Sequence, residues 1–340
     1  MENFFDSLPL SYKAVSIALS ALVLSLILGK FVLGVLFSLK IGQPIRYANF
    51  PTLFKLHENK KNTPTMGGVT FIIIFFILGS IFFDWKLSTG YLFMLAIGLL
   101  ALLGALDDLR KLKGIPGKGI SSKFKFGSQG LIGLLVLGFS YLYSQDEFFA
   151  LFSRFDPSFF GVLASLIFFL FVFCGSSNAV NLTDGLDGLA SGVTAIVSLG
   201  LICVILMNST KDIYDYNQLI ALSIILGASV GFLWFNQFPA QVFMGDTGSL
   251  SLGGLLGLIA FSMKKEWIYA VMGIIFVVEA MSVILQVLSF RFRNQKRIFL
   301  CSPLHHHYQY LGMNEVKIVT RFWIVTILST MVGVILARFL

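Results

Sequence analysis

Apolar stretches of about 20 residues recur from one end of the chain to the other, and about 20 is what an α-helix needs to cross roughly 30 Å of hydrocarbon. Their alternation with short polar segments predicts ten membrane helices. These fall at about Val15 to Phe37, Gly67 to Phe83, Ser88 to Leu106, Phe126 to Ser144 and Ser158 to Gly175, then Gly188 to Met207, Asn217 to Phe235, Gly248 to Met263, Trp267 to Phe290 and Ile318 to Phe339. The longest connections, Ser38 to Met66 and Arg291 to Lys317, are only the size of a helical hairpin. The expected architecture is therefore an all-α polytopic membrane protein, with residues 1–340 as one integral membrane domain. Small-xxx-small spacings at Gly227 with Gly231 and at Gly253 with Gly257 predict closely packed helix pairs.

Composition agrees. With 56% hydrophobic and 12% charged residues, the 340-residue chain has too few polar groups to cover a water-exposed surface, which excludes both a soluble two-domain protein and a disordered one. Cys174, Cys203 and Cys301 are odd in number and scattered, so they read as buried thiols rather than a disulfide framework. Glu2 and Asp6 before the first apolar run, and Lys30 within it, argue against a cleaved signal.

Ten spans put the odd-numbered connections on one side, and 16 of the 25 Lys and Arg residues lie there. Seven occupy the opposite loops and tails, with Lys30 and Arg321 inside spans. The positive-inside rule then places the odd-numbered connections in the cytoplasm and both termini in the periplasm. A basic inner face is what topogenesis and attraction to anionic lipid headgroups produce. No aromatic-interleaved basic module points to nucleic acid.

The polar constellations share that inner side. Asp107 and Asp108 end the third span; on a helix they diverge by about 100°, so one side chain is not expected to pair with both. A helix-end salt bridge of Asp107 with Lys111 is the plain alternative. The fifth connection, Asn178-Ala179-Val180-Asn181-Leu182-Thr183-Asp184-Gly185-Leu186-Asp187-Gly188, has no Lys or Arg. A helical turn would aim Asp184 and Asp187 at one face, where glycines let a ligand approach; helix capping explains one of these acids but not the whole set. Asp246, in Met244-Gly245-Asp246-Thr247-Gly248, stands where an N-cap would also stand, although the lack of a basic partner in its loop favours a metal or phosphate site. His305-His306-His307 cannot aim three rings at one ion, and suits hydrogen bonding to a diphosphate or acid–base work. In the first connection, His57 through Gly68, and in the third, Lys118, Ser121, Ser122, Lys123 and Lys125, lysines beside hydroxyls and glycines could form an anion cradle or an ordinary loop.

Carboxylates, lysines and imidazoles on one side suit Mg²⁺-dependent phosphoryl transfer, in which hard oxygens hold the ion against phosphate. No Walker A is present, since Gly117-Lys118 is followed by Gly119. A transporter would need charge through the midplane, and apart from Lys30 and Glu279 the spans are nearly free of it.

In this order, Thr63-Pro64-Thr65-Met66-Gly67-Gly68, the Asn178 to Gly188 block, Pro239-Ala240-Gln241-Val242-Phe243-Met244-Gly245-Asp246 and the His run resemble the polyprenyl-phosphate N-acetylhexosamine-1-phosphate transferase superfamily. Within it, they look closest to the muramoyl-pentapeptide branch of bacterial peptidoglycan synthesis, with the N-acetylglucosamine-phosphate branch as the alternative. The resemblance implies ten helices, a homodimer in the bacterial inner membrane, and a cytoplasmic cleft beside a groove for lipid. It implies transfer of phospho-N-acetylmuramoyl-pentapeptide from its UDP-activated form to undecaprenyl phosphate, giving lipid I and UMP, with Mg²⁺. Asp246 matches the family's magnesium-liganding aspartate, and Asp107 and Asp108 its essential pair, so all three enter the candidate metal set. The first of the pair is variously a nucleophile or a base in family mechanisms; direct attack by the lipid phosphate is preferred here, because that acceptor is already an anion. The resemblance also assigns Asn181, Asp184, Gly185, Asp187, Asn236 and Phe243 to donor binding, mostly on the uridine side. Lys60, Thr65, Lys111 and Lys123 would meet phosphates or nucleoside, and His305 and His306 would serve catalysis. The family often has an acid where this chain has Gln309.

Overall fold

The structure, a computed structural model, describes residues 8–39, 60, 63–113, 119–152, 154–155, 158–207 and 215–339. Among these there are thirteen helices and no strand. In chain order they are α1 (Leu10–Ser38), α2 (Val69–Phe82), α3 (Ser88–Lys113), α4 (Ser122–Tyr143), α5 (Gln145–Phe152), α6 (Phe159–Thr183) and α7 (Leu189–Met207). They continue as α8 (Asp215–Asn236), α9 (Gly245–Ser262), α10 (Glu266–Met272), α11 (Ile274–Phe292), α12 (Leu304–Tyr310) and α13 (Glu315–Leu336).

Eight of the ten expected spans are helices long and apolar enough to cross a membrane. The other two differ for physical reasons. The second, α2, has 14 residues and reaches only about 21 Å at 1.5 Å per residue. The eighth, α9, is rich in Gly, Ser and Leu, and all 18 of its residues are buried, so it needs no lipid-facing apolar side. The expected ninth span is broken at Gly273: α10 ends at Met272 and α11 begins at Ile274. Helix starts follow side-chain caps, with Ser121 accepting from Phe124 N–H, Ser158 from Gly161 N–H and Asn314 from Val316 N–H.

The bundle is organised around α9, which packs against α3 and α6, while α8 lies between α1 and α7, and α13 covers α7. The small-residue spacings act as expected. A Cβ on Gly253 would stand 2.6 Å from Ser176 O, and one on Gly231 2.5 Å from Ser25 Cβ. Phe152, Phe169, Phe173 and Phe261 fill the far half of this core, with the centroids of touching rings 5.1–5.8 Å apart. At the near end, the last turns of α3, α6 and α8 meet the first turns of α4 and α9. The chain beyond α11 turns back along a buried polar stripe, Glu279, Ser282, Gln286 and Ser289, at helical spacing. Gln286 Oε1 accepts Ile298 and Phe299 N–H at 3.1 and 2.9 Å, and Glu279 Oε1 accepts His305 N–H at 3.1 Å.

Candidate active site

The first-turn N–H groups of any helix lack intrahelical partners. In α9 the N-cap residue, Met244, offers no side-chain acceptor. The cap comes from another helix: Asp108 of α3 accepts Asp246 N–H at 3.1 Å, Thr247 N–H at 3.0 Å and Thr247 Oγ1–H at 2.8 Å. Asp246 is therefore not the N-cap that its position allowed. It sits inside the first turn, and its carboxylate is released toward α3. Two glycines make this possible. Gly245 turns the chain at φ +74°, a conformation other L-residues resist, and a Cβ there would stand 2.7 Å from Asp108 Oδ2. Gly104 lets α3 approach the Asp246 carbonyl, which a side chain would strike.

Asp107, Asp108 and Asp246 converge, each offering an oxygen within 4.8 Å of the others. Two lysines interleave them. Lys111 Nζ lies 2.5 Å from Asp107 Oδ2, 2.7 Å from Asp246 Oδ1 and 3.6 Å from Asp108 Oδ1. The helix-end pair Asp107–Lys111 thus forms, as part of a larger cluster. The expectation that one side chain could not serve both adjacent acids is corrected: Lys111 is four residues from one and three from the other, and both spacings face it. Lys125 of α4 bonds Asp107 Oδ2 at 3.0 Å and also pairs with Asp246 Oδ2. Ile120 N–H donates to Asp107 Oδ1 at 2.5 Å. Three hard carboxylates of one small cavity suit a divalent cation such as Mg²⁺.

Lys125 is one of several cradle lysines of the sequence, and Lys123, the one that the resemblance assigns to substrate, is exposed on the helix surface. The signal that separates them is periodicity. Buried positions of α4 recur at Gln129, Ile132, Gly133 and Val136, and one turn back from Gln129 is Lys125. Lys118 and His57 lie outside the described residues.

A second ionic group lies on the same end. Lys60 Nζ bonds Asp187 Oδ1 at 2.7 Å and Glu315 Oε1 at 2.6 Å. Asp187 Oδ2 accepts Ala240 N–H at 3.0 Å, and Asp187 N–H donates to Glu315. Burial, with Glu315 beside it, pushes the Asp187 carboxyl up from the ordinary carboxylate range, against the pull of Lys60. Glu315 had no sequence signal beyond its place at the start of a helix. Asn236 is buried with both ends engaged: Oδ1 accepts from Gly188 N–H and Ser191 Oγ–H, and Nδ2 donates to Val242 O. Its contacts shape the loop before α9 rather than leave an open amide.

That loop ties the two groups together. Phe243 N–H donates to Pro64 O, and Gly67 and Gly68 N–H donate to Phe243 and Met244 O. Phe243 is half-buried and Thr65 buried, with no hydrogen-bond partner for Thr65 Oγ1. Asn181 donates to Ser249 of α9 at 2.8 Å, and Asp184 ends α6. His305 and His306 are buried with ring centroids 4.1 Å apart, and His307 Nδ1 accepts Leu300 N–H. Gly185 backs onto the His305 ring so closely that a Cβ would collide with it. His306 Nδ1 stands 2.8 Å from Gln309 Oε1.

Beside the carboxylates, an open groove of about 890 Å³ runs between α2 and α3. Its wall is apolar almost throughout, from Trp85 and Tyr91 at one end to Ala105 and Thr247 at the other. Thr247 is the residue that holds Asp108.

Comparison with known proteins follows the same lines. The glycosyl transferase family 4 model matches residues 90–264. The chain is 39% identical to the phospho-N-acetylmuramoyl-pentapeptide-transferase of Protochlamydia amoebophila, over 97% of this chain and 94% of that protein. It is 46% identical to the protein of the same name from Chlamydia caviae, over 83% of each chain. A Francisella tularensis protein of that name is 38% identical over 95% of this chain and 92% of its own.

Proposed function

Since the chain belongs to glycosyl transferase family 4, and within it to the phospho-N-acetylmuramoyl-pentapeptide transferases, we propose that it passes phospho-N-acetylmuramoyl-pentapeptide from its UDP-activated form to undecaprenyl phosphate, giving lipid I and UMP. The observation that carries this reading is the meeting of three carboxylates and two lysines at the end of an apolar groove. A polyprenyl chain fits such a groove, and its phosphate would then stand by Asp107 and Asp246. The relatives' names favour the muramoyl-pentapeptide donor over an N-acetylglucosamine one.

In this reading, Asp246 and Asp107 would hold Mg²⁺, with Asp108 completing the carboxylate set. Bound there, the ion would spread the charge of the donor diphosphate. The acceptor phosphate oxygen attacks the β-phosphorus, the bond to the bridging oxygen breaks, and UMP leaves with that oxygen. No covalent enzyme intermediate is needed. The surroundings of Asp107 support direct attack: a carboxylate held by two ammonium groups and one amide N–H is a poor nucleophile. Lys111 and Lys125 are placed to meet phosphate oxygens as the charges redistribute. Lys60 steadies Asp187 and the loop at Ala240, while Asn236 fixes the same loop from within.

The enzyme is proposed to work as a homodimer in the bacterial inner membrane, with the carboxylate end in the cytoplasm, the orientation that the basic residues favour. One experiment tests activity and orientation together. Sealed inverted vesicles given UDP-N-acetylmuramoyl-pentapeptide, undecaprenyl phosphate and Mg²⁺ should release UMP, whereas right-side-out vesicles should not, because the donor cannot cross. UMP release only from UDP-N-acetylglucosamine would assign the other branch.

Nucleotide recognition is assigned to the segment from Asn181 to Gly185, where a carboxylate and amides can match a uracil ring. Leaving such a buried partner unmatched costs about 1–3 kcal/mol, or roughly 5- to 150-fold in affinity. Asp184→Ala should weaken UMP binding by that factor in calorimetry while undecaprenyl phosphate still binds. Unchanged UMP affinity would move the uridine pocket elsewhere.

A further inference from the structure

Glu279 is the one charged residue between Ile274 and Phe290, and it is fully buried. A carboxylate inside a membrane helix is expensive unless it is paired, and such residues are retained for a reason. Among the described residues its ion-pair partner is His305 alone. One hydrogen bond and one ion-pair approach join them: Oε1 accepts the His305 backbone N–H at 3.1 Å, and Oε2 stands 3.1 Å from the ring Nδ1, off the line of a hydrogen bond. The other ring nitrogen, Nε2, is buried without a hydrogen-bond partner and abuts the Gly185 backbone. Gly185 follows Asp184, in the segment assigned to the donor. The neighbouring ring is held differently, since His306 Nδ1 meets the uncharged amide of Gln309.

We propose that Glu279 is a positioning residue for His305: it anchors the main chain from α11, sets its charge against the Nδ1 side of the ring, and leaves Nε2 as the nitrogen that meets the bound donor. Which imidazole nitrogen serves substrate is set by what faces the other, and a carboxylate behind Nδ1 also orients the ring, as it does behind metal-bound imidazoles. Neither effect requires Glu279 to touch substrate. The inference rests on the transferase reading and adds to it a residue on a helix outside the carboxylate cluster.

The test is a double-mutant cycle on the full-length protein, using UMP release. Glu279→Gln keeps an acceptor for the His305 N–H but removes the charge. It should lower kcat about 10- to 100-fold, with the donor KM changed less than about 3-fold. In a His305→Ala background the same substitution should have almost no further effect, because its target is gone. Glu279→Asp, which keeps the charge, should recover part of the lost kcat, and it runs through the same cycle if the Gln variant does not fold. Unchanged kcat in a folded Glu279→Gln protein, or a loss that multiplies fully with that of His305→Ala, overturns the proposal. Wild-type protein that releases no UMP would instead overturn the function reading.

Discussion

Turnover should fall at least about 10²-fold when Asp107, Asp108 or Asp246 is changed singly to Asn, a substitution that keeps size and removes charge. The measurement is UMP release at saturating donor. EDTA should abolish wild-type activity, and Mg²⁺ should restore it. The three variants should differ in stability, because only Asp108 caps a helix. Its loss removes an anion from three donors at the start of α9, and capping contributes about 0.5–2 kcal/mol. Asp108→Asn should therefore lower Tm as well as kcat. Near-normal turnover in Asp246→Asn would take that residue out of the ion site.

Lys125→Ala should be strongly destabilising, and its effect should depend on the metal. Lys125 sits between Asp107 and Asp246, whose side chains are 1% and 6% exposed. Breaking a buried ion pair by removing one partner costs about 3–5 kcal/mol; the lower end applies here, since Lys111 remains and Lys125 is itself 15% exposed. In EDTA the Tm of the variant should drop well below wild type. Mg²⁺ should narrow the gap, because a divalent cation supplies the positive charge that the variant lacks. Lys123→Ala, on the exposed face, should change stability by no more than about 0.5 kcal/mol. An equal Tm loss with and without Mg²⁺ would show that Lys125 and the cation do not answer to the same carboxylates.

Membrane helices are legible because their length is set by the bilayer, and acids at a helix mouth are legible because they are rare there. Asp107, Asp108 and Asp246 were found that way. What local pattern cannot supply is which side chain in one segment meets which in another. Position alone allowed Asp246 to cap α9, although its loop favoured a metal or phosphate site, and the cap that forms, Asp108, comes from 138 residues away. Lys123 and Lys125 looked alike until the buried stripe of α4 selected the second. Span α9 was found, yet its full burial was not, since Gly and Ser in a helix signal close packing without saying how many sides are packed. Glu279 stood out as a charge in a span, but its partner required the fold-back along α11, a path written in Ser282, Gln286 and Ser289 at helical spacing.

A helix buried on all sides and held at its first turn by another helix has almost no way to open locally. Local unfolding draws on segments with exposed backbone hydrogen bonds and few apolar contacts, and α9 has neither feature. Its amides should exchange with solvent only when the whole bundle opens, so Asp246 is set on a segment that does not open on its own. Whatever rearrangement accompanies donor entry and UMP release must then be carried by the segments around it while the carboxylate stays in place.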